Sequence, residues 1–123
     1  MLRTFLRAKI HRATVTAADR DYEGSISIDR ALCRAAGLAE FEQVDIYDIT
    51  NGTRFTTYAI YGEPGQNQIN GAAALLARSG DLVIVVAYTA LAPEEVAHHR
   101  ATIVQVDGQN RVTSTRLAAV TAP

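Results

Sequence analysis

A serine that follows a glycine has the means to cut its own chain. In Tyr22-Glu23-Gly24-Ser25 the Ser25 hydroxyl sits next to the Gly24 carbonyl. Attack of Oγ on that carbonyl would move the acyl group from nitrogen to oxygen and open the backbone there. Gly24 lets the backbone take the strained geometry that such an attack needs. The plainer reading is a Gly-Ser turn leading into a helix, since both are common turn residues. Other groups with chemical potential lie downstream and upstream. Arg54, Thr56 and Tyr58 recur at strand spacing, and so do Lys9 and His11. In Asn70-Gly71-Ala72-Ala73, outward N–H groups at a helix start would suit an anion, and small residues permit close approach. Taken singly, each has an ordinary reading: a solvated lysine, a surface histidine, cross-strand surface residues.

Several classes of function are disfavoured. One cysteine and three histidines, without H-E-x-x-H or C-x-x-C, make no metal constellation. His98-His99 is an adjacent pair whose side chains point apart, which reads as surface. Cys33 cannot form an intrachain disulfide and reads as a small buried hydrophobe in a helical stretch. Ser25 lacks a G-x-S-x-G elbow, and no phosphate-binding glycine loop is present. A net charge of −1, with mixed signs along the chain, argues against nucleic acid as the main partner. Charges interrupt the first residues before any signal-like apolar run forms. The longest apolar run, Leu82 to Ala87, is too short to span a bilayer. The expectation is a cytoplasmic protein without a membrane partner.

The elements that must position these residues are short. The 123 residues, 48% hydrophobic and 20% charged, fit one domain with a modest core. Residues 2–15 alternate as a strand, with Leu2, Thr4, Leu6, Ala8 and Ile10 on one face and Lys9 and His11 on the other. A two-turn helix follows Ser27 or Asp29 as cap and stops at Gly37. Residues 43–50 read as a strand, Asn51-Gly52 as a type I′ turn, and residues 54–61 as the return strand. Asn70 caps a short alanine-rich helix. Residues 82–87 read as a strand buried on both faces. Pro93-Glu94-Glu95-Val96 opens a helical turn. Residues 102–107 form a strand that 111–115 pair back on, and 116–123 form a loose tail. About six strands with three short helices give a mainly β, α+β, barrel-like domain over residues 1–115.

Three stretches together resemble aspartate 1-decarboxylases: Tyr22-Glu23-Gly24-Ser25, Thr50-Asn51-Gly52-Thr53-Arg54-Phe55-Thr56-Thr57-Tyr58, and Asn70-Gly71-Ala72-Ala73-Ala74. Arg3-Thr4 through Lys9 and His11-Arg12, and the Gly80-Asp81 strand, also fit. The resemblance runs in order over about residues 1–115, with a slightly shorter loop between Glu63 and Asn70. It implies a double-psi β-barrel assembled as a homotetramer. It implies self-cleavage between Gly24 and Ser25, with Ser25 becoming a covalent pyruvoyl cofactor that forms a Schiff base with the amine of L-aspartate. Loss of the α-carboxylate then gives β-alanine for pantothenate synthesis.

The resemblance also implies roles. Gly24, Ser25, Thr57 and Asn70 serve processing. Tyr58 returns a proton to the carbanion. Lys9, Arg54, Thr57, Gly71, Ala72 and Ala73 hold the substrate, Arg54 by a carboxylate fork. Thr57 and Tyr58 point to opposite faces of a regular strand. Their joint presence in one site predicts either an irregular strand or a contribution from a neighbouring subunit. An accessory maturation factor is compatible with the cleavage step. Two rivals stay open: a non-catalytic binding barrel, and a pyruvoyl decarboxylase for another amino acid.

Overall fold

The fold was taken from a computed structural model that describes residues 1–122. Its strands are β1 (Arg3–Thr14), β2 (Ala17–Asp19), β3 (Ser25–Asp29), β4 (Gln43–Asp48), β5 (Arg54–Gly62), β6 (Asn67–Asn70), β7 (Leu82–Leu91), β8 (Arg100–Val106) and β9 (Val112–Ala119). The α-helices are α1 (Arg30–Ala36) and α2 (Pro93–Val96), and a 3-10 helix covers Gly71–Leu75. One mixed sheet takes the order β2-β6-β3-β5-β4-β7-β1-β8-β9. Three of its pairings are parallel: β1 with β8, β2 with β6, and β3 with β5. Parallel neighbours need crossover connections, so the sheet coils rather than zigzags. The result is the mainly β, barrel-like fold with short helices that the alternation predicts.

The inside is aliphatic. Ile10, Ile26, Ile28, Ile46, Ile69, Val83, Val85 and Val104 are almost fully buried. Each such side chain contributes about 1.5–3 kcal/mol by leaving water. α1 adds Leu32, Cys33 and Ala36 to this core. Burial pushes the Cys33 thiol up to about 11, which keeps it protonated and inert. Asp29 caps α1 by accepting from the Ala31 N–H at 2.8 Å, and Gly37 ends it in the left-handed region at φ 73°.

β1 buries Ala8 and Ile10 of the expected inner face, but Leu2 and Thr4 of that face are exposed, because the pairing with β7 already shifts between Leu6 and Ala8. Arg12 then takes φ 65°, and the pairing with β7 shifts between Ile10 and Ala13. This bulge changes the buried phase from Ala8 and Ile10 to Ala13 and Val15. It leaves Lys9 and His11 half-buried on the other face.

Four expectations are corrected. The Asn51-Gly52 connection is not a type I′ turn, because only Gly52 has positive φ. Asp48 Oδ1 accepts from the N–H groups of Thr50 and Asn51, and the Gly52 N–H donates to the Asp48 carbonyl. These bonds build a five-residue loop, 49–53, in place of a two-residue turn. Asn70 does not cap the helix that follows, since its side chain is engaged elsewhere. That helix is a 3-10 turn, shorter than expected. Residues 116–119, expected as loose tail, lie in β9 and pair with β8. Pro123, the last residue of that expected tail, lies outside the described residues. Strands β2, β3 and β6 add to the six that the alternation predicts.

Candidate active site

Ser25 opens β3 and is 1% exposed. Asn70 lies directly opposite it on antiparallel β6 and is fully buried. The Asn70 amide nitrogen donates to Ser25 Oγ and to Ser27 Oγ, each at 3.0 Å. The Ser25 hydroxyl in turn donates to the Glu23 carbonyl at 3.1 Å. Two buried serines on one face of a strand would be costly without such partners. Here they share one amide. The same amide supplies a donor to Oγ that would stabilise negative charge developing there.

Gly71 completes this cluster through its missing side chain. Its φ is 74°, and a Cβ placed there would lie 2.6 Å from Gly24 Cα and 2.9 Å from Gly24 N. The sequence pattern predicts close approach of a ligand to Gly71; what approaches it in the uncut chain is the Gly24 backbone itself. Ala72 is exposed and Ala73 half-buried beyond it.

β5 flanks Ser25 on the other side. Ile26 pairs in parallel with Ala59, so one step back along both strands brings Ser25 level with Tyr58. Tyr58 is 37% exposed and packs near Phe41, ring centroids 6.3 Å apart. An open cleft of about 570 Å³ is lined by Phe41, Gln43, Thr56, Thr57 and Tyr58. The register of β5 with β4 runs unbroken from Gln43↔Tyr58 to Tyr47↔Arg54, and burial alternates along it. The irregular strand expected at Thr57 is therefore absent. Thr57 and Tyr58 border the cleft from opposite faces.

Arg54 shares the Tyr58 face, as its spacing predicts, but lines a different hollow. Its guanidinium lies 4.2 Å from the centroid of the Tyr47 ring, beside Asp45 and Thr56. Tyr47 is bonded to Tyr88 through their hydroxyls at 2.7 Å. That bond, with burial, pushes the Tyr47 phenol up to about 12. Lys9 stands on β1, four strands from β3 in the sheet order, and makes no hydrogen bond or ion pair among the described residues. His11 has its Nδ1 buried without a partner, and burial together with Lys9 and Arg12 lowers its pKa. One chain thus unites Gly24, Ser25, Asn70 and Gly71, with Tyr58 adjacent. No hydrogen bond or ion pair links Lys9 or Arg54 to them among the described residues.

The sequence profile described as aspartate decarboxylase matches residues 1–113. The chain belongs to the aspartate decarboxylase family. It is similar to the aspartate 1-decarboxylase of Caulobacter vibrioides, 54% identical over 114 residues, covering 91% of this chain and 97% of that protein. The aspartate 1-decarboxylase of Hydrogenobaculum sp. (strain Y04AAS1) is 52% identical over 112 residues, with 91% and 90% covered. That of Myxococcus xanthus is 49% identical over 125 residues, with 100% and 96% covered.

Around this cluster, three polar residues escape a reading by motif. Ser27 shares the Asn70 amide, and Gln68 donates to Asn70 Oδ1 at 2.8 Å. Gln66 donates in turn to Gln68 Oε1 at 3.3 Å. The available signal was the alternation of amides at 66, 68 and 70, which marks one strand face. Among the described residues no group of metal-ligating side chains is present. No described helix is long and apolar enough to cross a membrane.

Proposed function

We propose that this chain cuts itself between Gly24 and Ser25 and then decarboxylates L-aspartate to β-alanine and carbon dioxide. The reaction would supply pantothenate synthesis in the cytoplasm. One observation carries the reading: in a chain of this family, the serine that follows Gly24 is buried, with its hydroxyl oxygen accepting an amide N–H from Asn70.

In the first step Ser25 Oγ attacks the Gly24 carbonyl, the C–N bond breaks, and an ester joins Gly24 to Ser25 Oγ. Asn70 steadies the charge that builds on oxygen as its proton leaves. Thr57 serves as a further donor in this step. Gly71 keeps the Gly24 backbone in place, a role that depends on its bare Cα. Cleavage of the ester by elimination, followed by entry of water and loss of ammonia, converts Ser25 to a pyruvoyl group.

The site suits that group. Ser25 provides its carbon skeleton at a strand end already paired to Asn70, and Gly71 leaves the space that a Cβ would fill. When formed, its ketone supplies an electron sink for the pair released by the departing carboxylate. The chain's own residues do the rest. Arg54 and Lys9 bind the carboxylates of aspartate by charge-assisted hydrogen bonds. N–H groups at Gly71, Ala72 and Ala73 orient the substrate. Tyr58 holds the proton that is returned to carbon. Closure of the site in a homotetramer excludes water. A neighbouring subunit is the source of the residues that one chain leaves apart from Ser25. A maturation factor would act on the cleavage step alone.

The test is an aspartate assay on the purified protein and its Ser25→Ala variant. The expected result is β-alanine and carbon dioxide in equal amounts from the first. The variant should yield none while keeping its circular dichroism and melting temperature. Undiminished β-alanine from Ser25→Ala would remove the reading.

A further inference from the structure

The amide of Asn70 could face Ser25 with either end. Its oxygen would accept the serine proton; its nitrogen donates to the serine oxygen, as observed. The choice is made outside the Ser25 cluster, by a row of amides along one face of β6 and the residue before it. The Glu63 backbone N–H donates to Gln66 Oε1 at 2.8 Å. A backbone N–H can only donate, so it fixes which end of Gln66 it meets. Gln66 Nε2 then donates to Gln68 Oε1 at 3.3 Å. Gln68 Nε2 donates to Asn70 Oδ1 at 2.8 Å. Only the NH2 end of Asn70 remains for Ser25 Oγ and Ser27 Oγ. The row leaves no freedom of polarity, because turning one amide would set two oxygens or two NH2 groups against each other. Gly62 gives the row its room: a Cβ there would lie 2.6 Å from Gln66 Oε1.

We propose that Gln68 is a positioning residue for self-cleavage, holding Asn70 so that it presents its NH2 group to Ser25. The proposal rests on the self-cleavage reading above. Gln68 touches neither Ser25 nor the scissile carbonyl among the hydrogen bonds of the described residues; it acts through Asn70. Its consequence is chemical. Negative charge gathers on Oγ as the serine proton departs, and an NH2 donor stabilises it. A carbonyl oxygen in the same place would compete with Glu23 for the proton and repel the charge.

The experiment follows cleavage in time by intact mass, using cell-free synthesis and a chase, for the unaltered chain, Gln68→Met and Gln68→Glu. Gln68→Met keeps length and loses the donor; cleavage should slow about tenfold with the melting temperature held. Gln68→Glu is the discriminating variant. As a carboxylate it cannot donate to Asn70, so at about pH 8 it should also be slow. As pH falls toward about 5 a growing share of neutral carboxyl can donate, and its rate relative to the unaltered chain should recover. A merely structural glutamine would give no such recovery. The proposal is overturned if Gln68→Glu cleaves within about twofold of the unaltered rate at every pH, or stays slow without recovery on acidification. Should Gln68→Met fail to fold, Gln68→Glu decides alone. An unaltered chain that never cleaves defeats the self-cleavage reading itself, and this inference with it.

Discussion

Arg54 and Gly71 test different halves of the chemistry. Arg54 lies on the exposed face of β5 with its guanidinium over Tyr47, away from Ser25 and Asn70. Replacing it by Ala should abolish aspartate turnover yet leave the cut after Gly24 complete, since nothing in the Ser25 cluster depends on it. Assay of β-alanine beside a denaturing gel separates the two; unchanged turnover would remove Arg54 from the substrate. Gly71→Ala should do the reverse. Its positive φ alone costs a side chain about 1–2 kcal/mol, and the new Cβ would collide with Gly24. The expected outcome is uncut chain accumulating in a folded protein, read by the same gel. Normal cleavage in Gly71→Ala would show that the Gly24–Gly71 contact is dispensable. His11, buried on one nitrogen without a partner, has no role that the geometry explains.

At the scale of elements, the loop between β4 and β5 is braced by a carboxyl pair. Asp48 Oδ1 accepts two backbone N–H groups, while its Oδ2 lacks a donor. A protonated Asp48 resolves this, because Oδ2–H can donate to Asp81. Burial first, then the bond to Asp81, raises the Asp48 pKa; the bond to Asp48 lowers that of Asp81. The signs give opposite slopes. A raised pKa makes Asp48 stabilising below its unfolded value, and this is lost as pH rises through the folded value. A lowered pKa makes Asp81 stabilising above its unfolded value, and this is lost as pH falls through the folded value. Melting temperature should therefore fall on both sides of the unfolded carboxyl pKa, about 3.9. Asp48→Asn keeps a donor without a titrating proton and should flatten the alkaline side only. Asp48→Ala should cost about 1–3 kcal/mol by stranding the loop N–H groups. An unchanged melting-temperature profile in Asp48→Asn would refute the shared proton.

The same scale shows what could be read from sequence. The faces of β5 were legible because Arg54, Thr56 and Tyr58 alternate with Phe55, Thr57 and Ala59 in a regular strand. The bulge at Arg12 was not, since nothing in the residue types marks an arginine at positive φ. β3 was hidden because Ser25 and Ser27 face a buried asparagine, which makes them read as turn or cap. β2 and β6 are three and four residues long, too short for alternation to register. The local cue at Asn70 points to helix capping. Its true partners lie 45 and 43 residues away, a pairing that only the sheet creates.

At the scale of the molecule, no hydrogen bond or ion pair ties Lys9 or Arg54 to Ser25 among the described residues, and the chain exposes Phe41, Tyr58, Tyr88 and Leu117. Exposed aromatic and aliphatic side chains of this size fit an interface. The homotetramer proposed for the enzyme would cover such surface and complete the site. Co-expression of Ser25→Ala with Arg54→Ala tests this. Each variant alone should be inactive. Mixed assemblies should regain turnover if Ser25 and Arg54 of one site come from different subunits; no recovery in verified mixed tetramers would place both in one chain. The central claim is tested most directly by the intact mass of the purified protein under denaturing conditions. The prediction is two chains, residues 1–24 and 25–123, with the longer one lighter by the elements of ammonia than a chain beginning with serine. A single full-length mass that persists after prolonged warming with cell extract would contradict it.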